Sequence, residues 1–304
     1  MFSAHYEAQI HLLIDCLSQL ENHPVFALKG GTAINLFVTS MPRLSVDIDL
    51  TYLPLKPRAE ALREIQQEIL GLKNGIERHV PGASGEITMA RDEVLKRLVI
   101  STGAAVIKIE PNPVFRGSVY PPVETSLCAE AREHFQKSVI AKTLDTADLY
   151  GSKLCAALDR QHPRDLFDVG VLLRDQGITP RIRRAFVVYL SGHPGTMHEL
   201  LNPHFKDISD LYLNHFQGMT DEEIPLETLI NIQHQIPLLI RQSLDNDERE
   251  FLISVKRGSP KWDILGFNHL SDLPALQWKL LNIARMDRTK HAESLRKLEK
   301  ALSA

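Results

Sequence analysis

A glycine pair separates a short apolar run from a helical pattern near the start of this chain, and this order constrains the fold most. Residues 25–28 are typical of a buried strand, whereas residues 31–40 have the spacing of a helix. A second strand is predicted over residues 44–53. Because a helix between two strands packs against the sheet that they form, this segment predicts a domain with both sheet and helix.

The composition indicates a soluble globular protein. Of the 304 residues, 43% are hydrophobic and 24% are charged, and the formal net charge is -3. This charge argues against non-specific coating of nucleic acid but is compatible with a local basic groove. The three cysteines show no metal-binding spacing, and no apolar run is long enough to span a bilayer. The expected location is therefore the reducing cytoplasm, with no membrane partner.

The pattern changes along the chain. Two β-rich runs, residues 97–101 and 104–110, are separated by a Thr-Gly hairpin signal. The proline-rich segment 110–124 is predicted to be a loop, and residues 138–144 are predicted to add an edge strand. After Asp145 almost all patterns are helical. The predicted fold class is α+β, with a mixed sheet and flanking helices over residues 1–130 and an all-α domain over residues 131–304.

Asp47 and Asp49 stand two positions apart within the predicted strand 44–53. Side chains of a strand alternate between its faces, so both carboxylates point to one face and the apolar neighbours to the other. Two carboxylates about 7 Å apart on one strand face repel each other unless water or a divalent cation lies between them. Either a solvated strand face or a metal site explains this pair.

The glycine turn at Gly30 and Gly31 joins the first predicted strand to the helix. Backbone N–H groups at such a turn converge on an anion at the helix N-terminus, and glycine allows close approach to a phosphate. The Thr32 hydroxyl can donate a hydrogen bond there or serve as the helix N-cap. A common tight turn is the alternative for this feature alone. The order of strand, glycine turn, helix, strand and Asp-x-Asp is much more specific.

Glu110 is the predicted third carboxylate of this site. It ends the run 104–110, on the face that also carries Lys108. Mg²⁺ binds hard oxygen ligands, and sites for nucleotide chemistry combine a few carboxylates with substrate phosphates. Glu110 is therefore a candidate metal ligand and catalytic residue, together with Asp47 and Asp49. The alternative is a surface acid at the end of a strand.

A second group of charged residues lies in the helical part of the chain. Lys153 falls within a helical pattern, and Asp165 and Asp168 share one face of a helix that begins at Pro163. A salt-bridge cluster that holds two helices together is the common fate of such residues. A functional role is compatible with it, since Asp168 could orient Lys153 while Lys153 contacts a triphosphate.

The resemblance to a known family rests on six segments: LKGGTAINLF, RLSVDIDL, IKIE, LYGSKLCAALDR, RDLFDV and LPALQWKLLNI. They resemble the AbiEii/AbiGii-type nucleotidyltransferase toxins, relatives of the MenT toxins within the DNA polymerase β-like superfamily. The likeness covers most of the chain. It implies metal ligation by Asp47, Asp49 and Glu110, and catalytic roles for these three, Lys153 and one of Asp165 or Asp168. The implied nucleotide-binding residues are Lys29, Gly30, Gly31, Thr32, Arg43, Ser45 and Lys153.

The resemblance also implies a function: a toxin of a bacterial toxin–antitoxin pair, of a kind often linked to phage defence. Its expected reaction is transfer of nucleotides from an NTP to an RNA acceptor, the 3′ end of tRNA, with Mg²⁺ or Mn²⁺. The expected partners are the NTP, the RNA and an antitoxin encoded alongside. Two alternatives stay open: nucleotidyl transfer to a small molecule or a protein, and a nucleotide-binding module without transfer.

An RNA acceptor would need a local basic groove, because the net charge of -3 gives no bulk attraction. Arg181, Arg183 and Arg184 open a predicted helix just after the RDLFDV segment and are the first candidates for that groove. The alternative is a solvated charged helix face, which is the more common role of such residues.

Overall fold

The computed structural model describes residues 4–90 and 94–303, and it divides into two compact units. The first comprises the described residues up to Asp145 together with Gln217–Glu223. The second comprises Thr146–Phe216 and the described residues from Ile224 onward. The division into independently folding domains at residue 130 stays a prediction. The outer ends of the predicted domains, residues 1–3 and 304, lie outside the described part.

The first unit combines a mixed sheet with helices. Its strands are β1 (Phe26–Lys29), β2 (Asp47–Tyr52), β3 (Ser84–Met89), β4 (Leu95–Ser101), β5 (Val106–Asn112), β6 (Val123–Ser126) and β7 (Ile140–Thr143). Its helices are α1 (Ala4–Leu17), α2 (Gly30–Ala33), α3 (Arg58–His79) and α4 (Ala129–Phe135). A 3-10 helix, Ser18–Asn22, follows α1, and a π-helical turn, Ile34–Val38, continues α2.

The seven strands form one sheet in the order β3-β4-β5-β2-β1-β7-β6. Strand β2 runs parallel to β5 and antiparallel to β1, while β1 runs parallel to β7. The hairpin predicted around the Thr-Gly pair is confirmed, since β4 and β5 are antiparallel with Ser101 opposite Val106. The sheet is therefore mixed, as predicted.

The predicted edge position of one strand is wrong. The strand expected at residues 138–144 is β7, which lies between β1 and β6. The edge strand is β6, which begins directly after Pro121 and Pro122 in a segment that was expected to be a loop. Prolines next to a short polar run favour a loop interpretation and so concealed this strand. The opposite edge, β3, alternates too weakly to be recognised from its sequence.

The central strands bury one face and leave polar side chains on the other. Ile48 and Ile109 are 0% exposed, whereas their neighbours Asp49 and Glu110 are partly exposed. Helix α3 packs against β3 and β4, and its buried residues recur at helical spacing, as at Ile65, Ile69, Leu72 and Ile76. The alternation of β2 and β5 therefore separates an apolar core from a polar face.

Every regular element in the described part of the second unit is helical, as predicted for residues after Asp145. The helices are α5 (Thr146–Arg160), α6 (Pro163–Asp175), α7 (Pro180–Gly192), α8 (Met197–Leu201), α9 (Ser209–His215), α10 (Leu226–Ser243), α11 (Asn246–Arg257), α12 (Pro274–Ala284) and α13 (Arg288–Ser303). Two 3-10 turns, Trp262–Leu265 and Leu270–Asp272, lie before α12. Within residues 4–90 and 94–303, none of the helices has the length and apolar character needed to cross a membrane.

Helices α5 and α7 approach each other closely at Gly151. A Cβ atom there would lie 2.7 Å from the backbone nitrogen of Phe186. That distance is shorter than any normal van der Waals contact, so only glycine fits without a shift of the backbone. The close approach fixes the orientation of α5, the helix that carries Lys153.

Candidate active site

The predicted carboxylates lie together on the polar face of the sheet. Asp49 on β2 is in register with Glu110 on the parallel strand β5, and Asp47 is in register with Lys108. On the other side of β2, Asp49 is opposite Lys29 of β1. Paired residues of adjacent strands project to the same face. The structure therefore brings Asp47, Asp49 and Glu110 onto one face, with Lys29 beside Asp49.

Arg97 of β4 extends this row, and the sequence alone did not identify it. Its Nη1 atom lies 3.4 Å from Glu110 Oε1. Cationic side chains thus stand at both ends of the row, since Lys29 flanks Asp49 and Arg97 flanks Glu110. The hairpin register could have revealed Arg97, because Leu98 is opposite Ile109 and the preceding pair falls on Arg97 and Glu110.

The pKa of Glu110 reflects the balance of charges on this face. Burial raises the pKa of Glu110, and the charges of Asp49 and Asp47 raise it further. Arg97 and Lys108 oppose this effect without cancelling it. The carboxylates therefore repel one another more strongly than the nearby cations compensate, which is the electrostatic condition that a bound cation relieves.

Gly30 makes room for the Asp49 carboxylate. Its φ of 73° lies in the left-handed region, where side chains other than glycine are strained. A Cβ atom at this position would collide with Asp49 Oδ2. The glycine turn and the Asp-x-Asp strand are thus in direct contact, so the two motifs form one site.

Gly31 contacts two other predicted nucleotide-binding residues. A Cβ atom at Gly31 would lie 2.7 Å from Arg43 Nη2 and 2.8 Å from Ser45 Oγ. Arg43 is only 1% exposed and donates from Nη1 to the Leu44 carbonyl at 2.8 Å. A guanidinium and a hydroxyl therefore lie against the turn, where a side chain at Gly31 would displace them.

The structure rules out one of the two roles suggested for Thr32. The N-cap of α2 is Lys29, and Thr32 lies within the helix. Thr32 is 0% exposed, and its hydroxyl donates a hydrogen bond of 2.5 Å to the Asp47 carbonyl. The same hydroxyl oxygen lies 3.1 Å from Ser45 Oγ. The N-cap assignment is wrong because the helix begins two residues earlier. Thr32 instead ties the turn to the start of β2, next to the carboxylate of Asp47.

The carboxylate row has the chemistry of a Mg²⁺ site, but its side chains are not arranged as a finished coordination sphere. In the described residues, no group of three or more His, Cys, Asp or Glu side chains is positioned to hold a metal ion. Glu110 points toward Arg97 instead. The hard oxygen donors and their net repulsion fit a divalent cation, which Asp47, Asp49 and Glu110 would hold after a rotation of Glu110.

Lys153, Asp165 and Asp168 belong to the second unit, and the structure joins them in one buried cluster. Lys153 Nζ lies 2.8 Å from Asp165 Oδ1 and 2.9 Å from Asp168 Oδ2. Arg160 adds a two-pronged contact to Asp165, from Nε at 2.5 Å and from Nη2 at 2.9 Å. The salt-bridge interpretation of this group is therefore confirmed. Its catalytic role stays a prediction.

The electrostatics of this cluster favour the ionised form. Burial alone would raise the pKa of Asp165, but the charges of Lys153 and Arg160 outweigh it and hold that pKa well below its usual value. Asp165 and Asp168 are each 1% exposed, and Lys153 is 6% exposed. Removing one partner would leave a buried charge without compensation, so the cluster joins α5 to α6.

The arginines proposed for an RNA groove differ in their surroundings. Arg183 is bound within the second unit, with Nε 2.5 Å from Glu248 Oε2 and Nη2 2.9 Å from Asp245 Oδ2. Asp245 and Glu248 form the capping box of α11. Arg183 thus has a structural role, and its predicted role in the groove stays a prediction. Arg181 and Arg184 are exposed, so their predicted role stays open.

A glycine turn with backbone donors beside hard oxygen ligands suits transfer of a nucleotidyl group, and comparison with known proteins supports that class. The family model described as "Nucleotidyl transferase AbiEii toxin, Type IV TA system" matches residues 11–280. This chain therefore belongs to the AbiEii family of nucleotidyltransferase toxins, as the sequence motifs indicated.

A solved structure shows the same fold. The chain is similar to MenT4, the nucleotidyltransferase toxin Rv2826c from Mycobacterium tuberculosis H37Rv, with a TM-score of 0.58 and 14% sequence identity. The likeness covers 92% of this chain and 94% of that one. A search of curated protein sequences gave no match.

Proposed function

We propose that this toxin transfers a nucleotide from an NTP to the 3′ end of a tRNA, with Mg²⁺ or Mn²⁺ held by Asp47, Asp49 and Glu110. The observation that carries this proposal is the pairing of Asp49 with Glu110 directly beside the glycine turn. Carboxylates that repel each other next to backbone donors suit a site for a metal-bound triphosphate.

The proposed reaction forms one P–O bond and breaks another. The acceptor hydroxyl oxygen attacks the α-phosphorus of the NTP, the bond from that phosphorus to the bridging oxygen breaks, and pyrophosphate leaves. The hydroxyl proton passes to solvent. A divalent metal held by Asp47, Asp49 and Glu110 would neutralise charge on the phosphates and activate the hydroxyl.

The residues of the turn hold the phosphates in this proposal. Backbone N–H groups at Gly30 and Gly31 bind the triphosphate, and Lys29 adds a positive charge next to Asp49. Arg43 and Ser45 pack against Gly31 and stabilise the conformation of the turn, since Arg43 is almost fully buried. Lys153 stays a proposed catalytic and triphosphate-binding residue, with Asp165 or Asp168 as its acidic partner.

The acceptor and the partner are inferred from the family. The family resemblance implies an RNA acceptor, and a toxin of a type IV toxin–antitoxin system implies an antitoxin. Arg181 and Arg184 are the exposed members of the predicted basic cluster. If they contact RNA phosphates, Arg181→Gln plus Arg184→Gln lowers the salt slope of tRNA binding by about one unit per lost contact.

Labelling of acceptors tests this function. The purified chain is incubated with each α-³²P-labelled NTP, Mg²⁺ and total RNA, with and without added cell extract. Label in tRNA supports the proposal if removal of the 3′-terminal nucleotides from that tRNA also removes the label. Label in a protein or a small molecule would contradict the RNA acceptor, and absence of label with all four NTPs and all acceptors would contradict transfer.

A further inference from the structure

A cavity of about 410 Å³ opens in the second unit between α8, α10 and α13; we call it the α13 pocket. Its charged and titratable lining residues are His198, Glu199, His204, Arg241, Lys297 and Lys300. Three permanent cations thus face one carboxylate. Since nucleobase sites use aromatic stacking and the described lining contains no Phe, Tyr or Trp, these walls suit an anion rather than a base.

Arg241 is only partly satisfied by its surroundings. Its Nη1 atom donates to the Leu201 carbonyl at 2.5 Å, which anchors the guanidinium to the end of α8. Its Nε atom is buried and has no acceptor among the described residues. Buried donors are normally paired, so this guanidinium retains hydrogen-bonding capacity in a cationic pocket.

Lys256 on α11 adds a further positive charge to this region. It is only 5% exposed, yet its Nζ atom forms no hydrogen bond or ion pair with any group in residues 4–90 and 94–303. Burial lowers the pKa of Lys256. The side chain is therefore largely buried along its hydrocarbon stem, while its ammonium group has no acidic partner among the described residues.

Lys256 interacts electrostatically with His198, which lines the α13 pocket. Burial lowers the pKa of His198, and Lys297 and Lys256 lower it further against the opposing charge of Glu199. The side chain of Glu199 also accepts a hydrogen bond from Thr196. Lys297 pairs with Glu293 at 2.7 Å, but both side chains are more than half exposed, so this pair is weak. The net charge of the pocket lining is nevertheless positive, because Arg241, Lys297 and Lys300 outnumber the single carboxylate of Glu199.

We propose that the α13 pocket binds a phosphate group. Arg241, Lys297 and Lys300 provide the direct contacts, and the positive charge of Lys256 strengthens the attraction. Charge-assisted hydrogen bonds from arginine and lysine to phosphate oxygens are among the strongest in proteins. A free diphosphate and the backbone of an RNA strand present the same chemistry, so separate probes distinguish these two sources.

Calorimetry with sodium pyrophosphate tests the site on the full chain. EDTA is present so that a metal-dependent site takes up no probe. Lys297→Gln plus Lys300→Gln removes two contacts and is expected to weaken binding about tenfold or more. Arg288→Gln plus Lys290→Gln is the matched control, because it removes the same charge from the same helix outside the pocket lining. The control is expected to bind like the wild type.

Fluorescence anisotropy with a labelled single-stranded RNA is the second arm. If the ligand is an RNA backbone, the Lys297/Lys300 variant lowers the salt slope by about 1.4 units, since each lost contact to a single strand contributes about 0.7. Loss of RNA affinity with normal pyrophosphate binding, or the reverse, supports the site and identifies its source. Unchanged affinity for both probes overturns the proposal.

Lys256→Met separates binding from stability. This variant removes the positive charge and keeps an apolar side chain of similar length, so its affinity for the bound probe is expected to fall while its melting temperature does not. A melting temperature that falls, together with unchanged affinity, would contradict the role of Lys256. Neither arm measures nucleotide transfer, so failure here leaves the proposed reaction untouched and failure of transfer leaves this pocket untouched.

Discussion

The Asp49 carboxylate lies against the Cα atom of Gly30, so closely that any side chain at Gly30 would collide with Asp49 Oδ2. Gly30 is the first residue of α2, and Asp49 lies in the middle of β2. The φ of Gly30 is 73°, a conformation that favours glycine. The absence of a side chain at Gly30 leaves the space that the Asp49 carboxylate occupies. This contact makes the turn and the strand a single functional feature.

Gly30→Ala is expected to reduce both stability and transfer. An alanine in the left-handed region costs about 1–2 kcal/mol, and the collision with Asp49 adds to that cost. Gly82→Ala is the matched control, because Gly82 has a φ of 72° and nothing within 4 Å of an added Cβ. Urea unfolding measures both variants. Equal losses of stability at the two positions would show that Asp49 does not occupy the space beside Gly30.

Lys153→Met is expected to destabilise the chain by about 3 kcal/mol, since it leaves Asp165 and Asp168 as buried charges with one partner fewer. Arg174→Met is the control, because Arg174 and Asp175 form an exposed pair that contributes about 0–1 kcal/mol. Unfolding curves for the two variants give this comparison. Transfer by Lys153→Met is then measured at a temperature where the variant is folded. Normal transfer by the folded variant would contradict a catalytic role for Lys153.

Acid is expected to weaken the second unit through Asp165. The pKa of Asp165 is held well below its unfolded value. Its stabilising contribution is therefore complete above the unfolded pKa of about 4 and is lost as the pH falls further. Asp165→Asn should flatten the decrease in unfolding free energy below about pH 4. The same decrease in wild type and variant would indicate that other groups cause the acid sensitivity.

Arg183→Ala is expected to destabilise the chain, because it removes the cation that faces the buried Glu248 carboxylate. The expected loss is about 2–3 kcal/mol, and Arg184→Ala on the same helix is expected to change stability by less than about 0.5 kcal/mol. Thermal unfolding of the two variants makes the comparison. An Arg183→Ala variant as stable as Arg184→Ala would contradict the structural role of Arg183.

The sequence predicted the local features of the site well. Alternation along β2 placed Asp47 and Asp49 on one face, and the burial of Ile48 and Leu50 on the other confirms it. Alternation along β5 likewise predicted the face of Glu110. These predictions succeed because the two-residue period of a strand is a local property of its backbone.

The features that were missed from the sequence depend on contacts between segments that are separated in the chain. Arg97 meets Glu110 only through the pairing of β4 with β5, and Gly30 meets Asp49 only through the pairing of β1 with β2. The ion pairs of Arg183 join residues 62 and 65 positions apart. The sequence pattern identifies Arg183 as a charged residue on a helix. Its ion-pair partners are determined by the tertiary fold.

The central claim is that Asp49 and Glu110 hold the metal for nucleotidyl transfer. Single-turnover transfer from a labelled NTP, over a series of Mg²⁺ concentrations, tests it most directly. Asp49→Asn should lower the rate by roughly a thousandfold, which corresponds to about 4 kcal/mol, while the chain remains folded. Glu124→Gln, on the exposed edge strand β6, is the control and should react like the wild type. A folded Asp49→Asn variant with the wild-type rate and Mg²⁺ dependence would contradict the account.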